Sequence, residues 1–232
     1  MLLYNLVKDS LALLFPDLCV GCNTSLVNQE KYLCLNCSYD LPITNDYLDA
    51  DSLVDKRLKA RMPVNKVSSY LYFTGGSRVQ RIIHRIKYQN GYALAQFLGR
   101  QYGGILKNSP YFQHLDFIVP VPLHRKRLRE RGYNQSEYIA RGMADELGAE
   151  VIINNLVRLV HQKSQTKTKG RYERFENMEG MFSVRNPAEF ENKHVLLVDD
   201  VLTTGATLEA CGVALLKVPN VKLSIATLAF TK

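Results

Sequence analysis

No stretch of this chain's 232 residues is both long and apolar enough to cross a bilayer. Nor is Met1–Phe15 expected to serve as a secretory signal. Met1–Phe15 carries apolar residues at 2, 3, 6, 7, 11, 13, 14 and 15, but Asn5, Lys8, Asp9 and Ser10 interrupt them and no basic start precedes them. That spacing reads as an amphipathic helix packed on the same protein, and a cytoplasmic location is expected. Tryptophan is absent, and no aromatic stripe of the kind that stacks single-stranded nucleic acid is evident. There are no internal repeats or low-complexity tracts, so the length fits one large domain or a domain with a small appendage. Acids are the scarcer charge, 22 against 30 Lys and Arg, for a formal net charge of +8. That balance points to an anionic partner such as nucleotide, pyrophosphate or nucleic acid, without choosing among them.

Cysteine is sparse but grouped. Four of the five form Cys19-x-x-Cys22 and Cys34-x-x-Cys37. Each pair can place two thiolates on one metal through a tight turn, and two such knuckles complete a tetrahedral site. Two disulfides would use the same four residues, but they conflict with that reading of Met1–Phe15 and with the cytosolic character of the downstream motif. Zn2+ held by Cys19, Cys22, Cys34 and Cys37 is therefore expected, structural because four thiolates leave no open position. The thiolates and metal together bring the +8 to about +6. Cys211 stands apart on an apolar stripe and reads as a buried small hydrophobe.

What the chain has in greatest concentration is at 195–207. Val195, Leu196, Leu197 and Val198 read as a strand buried on both faces. Asp199 and Asp200 follow at its end. Thr203, Thr204, Gly205, Ala206 and Thr207 then open onto helical spacing at Leu208, Cys211, Leu215 and Leu216. A strand, a hydroxyl- and glycine-containing turn and a helix N-terminus make an anion site. With phosphate in the turn, the acids are free to accept hydrogen bonds from sugar hydroxyls nearby.

The rest alternates strand and helix, which implies a mostly parallel sheet. Strands are expected at Val67–Phe73, Leu115–Val119, 194–199 and Leu223–Phe230. Helices are expected around Val79–Ile86, Tyr92–Leu106 and 134–147. The face of the first helix bearing Arg78, Arg81, Arg85 and Lys87 reads more readily as solvated than as binding. Residues 41–66 read as a linker or irregular cover. After Phe117-Ile-Val-Pro-Val-Pro122, two prolines stop a strand and start a rigid loop crowded with Arg125, Lys126, Arg127, Arg129 and Arg131. Such cations suit a bound pyrophosphate, and the loop's Val121, Pro122, Arg125 and Arg131 are expected beside it. Residues 158–177, with His161, Lys163, Gln165, Lys167, Lys169, Arg171 and Arg174, are too polar to pack well and read as a flap or a basic loop.

The 195–207 segment resembles the 5-phosphoribosyl-1-pyrophosphate (PRPP) motif of type I phosphoribosyltransferases. Taken with the four-cysteine module, Val-Pro-Val-Pro, Arg131-Gly132-Tyr133-Asn134-Gln135 and Arg174-x-x-Asn177, it resembles the ComF/GntX family over nearly the whole chain. One departure is Thr168, where the family usually has leucine. The resemblance implies a type I phosphoribosyltransferase fold, α/β with helices flanking the sheet, over 46–232, and an N-terminal helix with a zinc module over 1–45. It implies that Thr203–Thr207 hold the ribose 5-phosphate, that Asp199 and Asp200 hold the ribose hydroxyls as the catalytic pair, and that Mg2+ accompanies PRPP. Gln165, Arg174 and Asn177 fall on the flap that faces the acceptor.

Two functions follow from these readings. One is transfer of phosphoribosyl to a nitrogenous acceptor, with a role in competence and DNA uptake. The other is a non-catalytic module that senses PRPP or a nucleotide while binding single-stranded DNA or a helicase partner.

Overall fold

A computed structural model describes residues 15–27, 29–159 and 180–231. The first element, α1 (Leu35–Tyr39), starts at Cys34, whose sulfur accepts the Cys37 N–H at 3.4 Å. The next, α2 (Leu53–Lys59), occupies ground expected to be linker. Ser52 caps it by accepting the Asp55 N–H at 3.2 Å, and Val54, Asp55 and Leu58 are buried. A charged residue on the inner face hid this helix from the hydrophobic pattern. Asp55 pairs with Lys66, both wholly buried, and accepts the Val67 N–H at 2.7 Å.

Then come β1 (Lys66–Phe73), α3 (Arg78–Tyr88), α4 (Tyr92–Leu106) and β2 (Phe117–Pro120). The expected basic loop after β2 contains a seven-residue helix, α5 (Arg125–Arg131), which corrects that reading. His124 caps its start, and Gly132 ends it in the left-handed region at φ 79°. It has no buried residue, so nothing in an apolar pattern could have announced it. The remaining elements are α6 (Gln135–Leu147), β3 (Glu150–Val151), β4 (Leu156–Arg158), β5 (Phe182–Val184), β6 (His194–Leu202), α7 (Ala206–Leu216) and β7 (Lys222–Thr231).

Five strands form a parallel sheet in the order β1-β7-β6-β2-β3, and β4 and β5 form a separate antiparallel pair. Arg158, assigned to the flap in the sequence reading, belongs to β4 and pairs with Phe182. The sheet is covered on both sides, as its apolar strands require. Leu196 and Val198 join one core with Ile82, Leu98 and Ile139, which also takes in Cys19, Cys34 and Cys37. Val195 and Leu197 join the other with Leu58, Phe190 and Leu208. On the first face α4 and α6 touch backbone to backbone. A Cβ at Gly142 would lie 2.0 Å from the Gln96 carbonyl oxygen, and one at Gly99 would lie 2.3 Å from that of Ile139.

The strand order places a switch point at the centre of the sheet. From β2 the chain crosses through α6 outward to β3, while from β6 it crosses through α7 outward to β7 on the other side. The crevice beyond the carboxyl ends of β2 and β6 is where such sheets bind ligands. Among the described residues no helix is long and apolar enough to cross a membrane.

Candidate functional site

Pro120 of β2 lies beside Val198 of β6, and the Val121 N–H donates to the Val198 carbonyl at 2.9 Å. The two strand ends therefore deliver Val121–Pro122 and Asp199–Asp200 to one place. Strand β6 runs past the expected end at 199 because its backbone keeps pairing with β7, Asp199 with Thr227 and Leu202 with Phe230. Successive side chains on a strand face opposite ways, so the two acids have different surroundings.

Asp199 Oδ1 accepts the Ser136 hydroxyl at 2.8 Å and the Asp200 N–H at 2.9 Å. Burial, with the neighbouring Asp200 charge adding to it, pushes its carboxyl up to about 7. Asp200 is 5% exposed. Lys87 Nζ stands 3.3 Å from its Oδ2 as an ion pair, yet that buried oxygen has no hydrogen-bond donor among the described residues. Lys87 is the last basic residue of α3, so the expected solvated face ends inside the crevice.

The Arg131–Gln135 segment ties the β2 loop to α6. Asn134 Nδ2 donates to the Val121 carbonyl at 3.0 Å, while its Oδ1 caps α6 by accepting the Ser136 N–H at 3.2 Å. Arg131 donates to Gln135 Oε1 at 2.9 Å, and its guanidinium lies 5.1 Å from the Tyr88 ring centre. Val121 is buried and Pro122 and Arg131 half-buried, whereas Arg125, Lys126, Arg127 and Arg129 are exposed on α5.

Beyond β6, Thr203, Thr204 and Thr207 are exposed around the buried Gly205. Thr204 Oγ1 accepts the Ala206 N–H at 3.4 Å where α7 begins, and Gly205 precedes the helix at φ 83°, in the left-handed region. A Cβ there would also lie 2.8 Å from Leu58 Cδ2, so both backbone and space require glycine. The structure thus places Val121 and Pro122 beside Asp199 and Asp200 at adjoining strand ends, with Thr203–Thr207 following on from β6 and Arg131 tied to the start of α6. Gln165, Arg174 and Asn177, like the N-terminal helix, lie outside the described residues.

Sequence reasoning did not single out Ser136, Arg57 or Arg61 for the site, and passed over a tyrosine cluster. Tyr92, Tyr133 and Tyr138 pack with ring centres 5.3–5.8 Å apart, and the exposed Tyr88 sits against Arg131. These rings come from α3, α4 and the α6 region, so no local stripe exists to be read.

The four cysteine sulfurs lie within 4.8 Å of one another, and the Cys22 and Cys34 sulfurs are 3.7 Å apart. A tetrahedral zinc with Zn–S near 2.3 Å needs sulfurs about 3.8 Å apart, so the cluster fits the metal. Thr24 hydrogen bonds hold the Cys22 thiol down to about 6, and the Cys34 N–H donates to the Cys19 sulfur at 3.2 Å. Arg81 Nε donates to the Gly21 carbonyl at 2.7 Å, tying this knuckle to α3.

A phosphoribosyl transferase domain model matches residues 134–232, which contain α6, both acids and the helix-opening turn. With the parallel sheet and its switch point, this makes the chain a type I phosphoribosyltransferase-fold protein. Competence protein F of Haemophilus influenzae is 31% identical over 131 residues, 55% of this chain and 57% of that protein. DNA utilization protein YhgH of Salmonella typhimurium is 27% identical over 215 residues, 91% of this chain and 89% of that one. Competence protein ComFC of Bacillus subtilis is 25% identical over 210 residues, 90% and 82% of the two chains. These matches support a ComF-type reading of the chain, with a phosphoribosyl transferase domain. Its match spans little more than half the length of Competence protein F but most of YhgH. Among solved structures, a hypoxanthine phosphoribosyltransferase from Staphylococcus aureus aligns at 17% identity, 60% of this chain and 64% of that one, with a TM-score of 0.37.

Proposed function

We propose that the crevice beyond β2 and β6 binds PRPP with Mg2+ and transfers its phosphoribosyl group to a nitrogenous acceptor. The observation that carries this reading is the buried Asp200 Oδ2 oxygen, ion-paired with Lys87 Nζ at 3.3 Å but accepting no hydrogen bond among the described residues. A buried carboxylate oxygen gains from a further hydrogen bond, and a ribose hydroxyl is a donor that would supply it. In this reading Asp199 and Asp200 hold the 2- and 3-hydroxyls, Thr203–Thr207 take the 5-phosphate, and Val121, Pro122, Arg125 and Arg131 take the pyrophosphate. The flap residues Gln165, Arg174 and Asn177 serve the acceptor side.

The acceptor nitrogen bonds to C1 as the C1–oxygen bond to pyrophosphate breaks, through an oxocarbenium-like state. Both electrons of the broken bond leave on pyrophosphate, where the arginines offset the developing charge. Mg2+ bound with PRPP beside the Asp199 and Asp200 carboxylates would supply further neutralisation of the leaving group. Zinc on the four cysteines is structural. The names of the relatives, competence and DNA utilization, support a place in DNA uptake.

Pyrophosphate release from PRPP and Mg2+ across a panel of nitrogenous bases tests transfer, and a blank panel would remove it. Asp199→Asn with Asp200→Asn should abolish calorimetric PRPP binding. Unchanged affinity in that double variant would show that the ribose site lies elsewhere. The second reading, a sensing module that binds single-stranded DNA or a helicase partner, is favoured by the exposed Tyr88 beside Arg131 and the Tyr92–Tyr133–Tyr138 cluster. It predicts salt-dependent retention of single-stranded DNA that falls when Arg125, Arg127 and Arg129 are neutralised.

A further inference from the structure

The phosphate turn is held from behind by the segment that the sequence presented as linker. Arg57 Nη1 donates to the Thr203 carbonyl at 2.8 Å and to the Thr231 carbonyl at 2.9 Å, with its guanidinium 4.5 Å from the Phe230 ring centre. Arg61 Nη1 donates to the Thr204 carbonyl at 2.8 Å and meets Glu209 Oε2 at 3.2 Å. Between them Leu58 fills the space beside Gly205. Helix α2 is in turn fixed by the buried Asp55, which binds Lys66 and the Val67 N–H.

In a planar trans peptide the C=O and N–H point opposite ways. The Thr203 carbonyl shares its peptide with the Thr204 N–H, and the Thr204 carbonyl shares its own with the Gly205 N–H. Anchoring both carbonyls on guanidinium groups therefore turns both N–H groups away from α2. No hydrogen bond to either N–H is present among the described residues. A charged donor on the carbonyl also polarises the peptide and strengthens its N–H as a donor. On the same strand end, the buried Asp200 Oδ2, ion-paired with Lys87 but accepting no hydrogen bond among the described residues, independently marks ligand-facing ground.

We infer that Arg57 and Arg61 are positioning residues for the bound phosphate. They hold the Thr204 and Gly205 N–H groups in the donating direction without touching the anion themselves. This rests on reading Thr203–Thr207 as the 5-phosphate site, and it assigns Arg57 and Arg61 to phosphate affinity rather than to pyrophosphate or acceptor binding.

The test is calorimetry on the full chain with two separate probes, ribose 5-phosphate and Mg2+-pyrophosphate. Arg57→Gln and Arg61→Gln should each weaken ribose 5-phosphate about tenfold and leave pyrophosphate within about twofold. Arg57→Lys should recover much of the loss, because an ammonium can still reach the Thr203 carbonyl. Equal weakening of both probes, or no change with ribose 5-phosphate, would overturn the assignment. The unaltered protein gives a second readout if the variants misfold. Its Thr204 and Gly205 amide proton resonances should move downfield on adding ribose 5-phosphate, and unmoved resonances overturn the inference. Failure of the unaltered protein to bind either ribose 5-phosphate or PRPP sinks the functional reading and this one together. Normal binding that Arg57→Gln and Arg61→Gln leave intact sinks only the role of the arginines.

Discussion

Replacing Asp199 by Asn should make the protein more stable at neutral and alkaline pH, even though it removes a residue of the candidate site. The folded chain holds the Asp199 proton up to about 7, through burial first and the Asp200 charge second, against an ordinary value of 3.8. Below about pH 4 the carboxyl is protonated in both folded and unfolded chains and costs nothing. Between about 4 and 7 the unfolded chain has ionised while the folded chain retains its proton, so stability falls as pH rises. Above 7 the loss is complete. A displacement from 3.8 to about 7 corresponds to about 4 kcal/mol, and screening at the remaining exposed surface of Asp199 brings the expectation to about 2–4 kcal/mol. Asparagine keeps an Oδ1 to accept the Ser136 hydroxyl and the Asp200 N–H, so the substitution removes the titration and little else. Urea unfolding from pH 4 to pH 8, without ligand, measures the difference between the two proteins. The two curves should coincide near pH 4 and diverge by pH 8, with the variant more stable. A constant offset across that range, or a variant less stable at pH 8, would refute the account of Asp199 as a strained acid.

Three further outcomes follow from the packing and the cysteine cluster. One zinc per folded chain is expected by metal analysis, and chelation should lower the melting temperature of the whole chain, because Cys19, Cys34 and Cys37 share a core with Ile82 and Leu98. Gly142→Ala should cost about 2–4 kcal/mol in chemical denaturation, since its Cβ would fall 2.0 Å from the Gln96 carbonyl oxygen and the α4–α6 contact must open. Asp55→Asn should cost about 3–5 kcal/mol by leaving Lys66 charged and wholly buried, and Asp55→Asn with Lys66→Met should recover part of that loss.

Where a residue's role is written in its neighbours along the chain, the sequence was legible. Tyr92–Leu106 was readable as a helix to both end residues because its apolar spacing is unbroken. Val195–Val198 was readable as a doubly covered strand because it has no polar face. Roles set by neighbours in space were not legible. Helix α2 hides its inner face behind Asp55, whose partner Lys66 lies in the next strand. Helix α5 buries nothing and owes its form to a cap and a left-handed glycine at its ends. The tyrosines at 88, 92, 133 and 138 form a cluster only after α3, α4 and α6 have packed. Lys87 looked like one more cation on a wet face until the end of α3 met Asp200.

The same distinction refines the meaning of the +8 charge. Around the crevice each cation already has a partner: Arg57 on two carbonyls, Arg61 on Thr204 and Glu209, Lys87 on Asp200, and Arg131 on Gln135 and Tyr88. These contacts hold the side chains in place, so the turn N–H groups that would meet an anion are oriented before it arrives. The other exposed cations of α5, Lys126, Arg127 and Arg129, would act on an anion at a distance and be screened by salt. Affinity for a small phosphate should therefore depend on the geometry of the Thr203–Thr207 turn, and the rate of its arrival on α5. Net charge pointed to an anionic partner, but the oriented dipoles and hydrogen bonds around the crevice are features that no charge count contains.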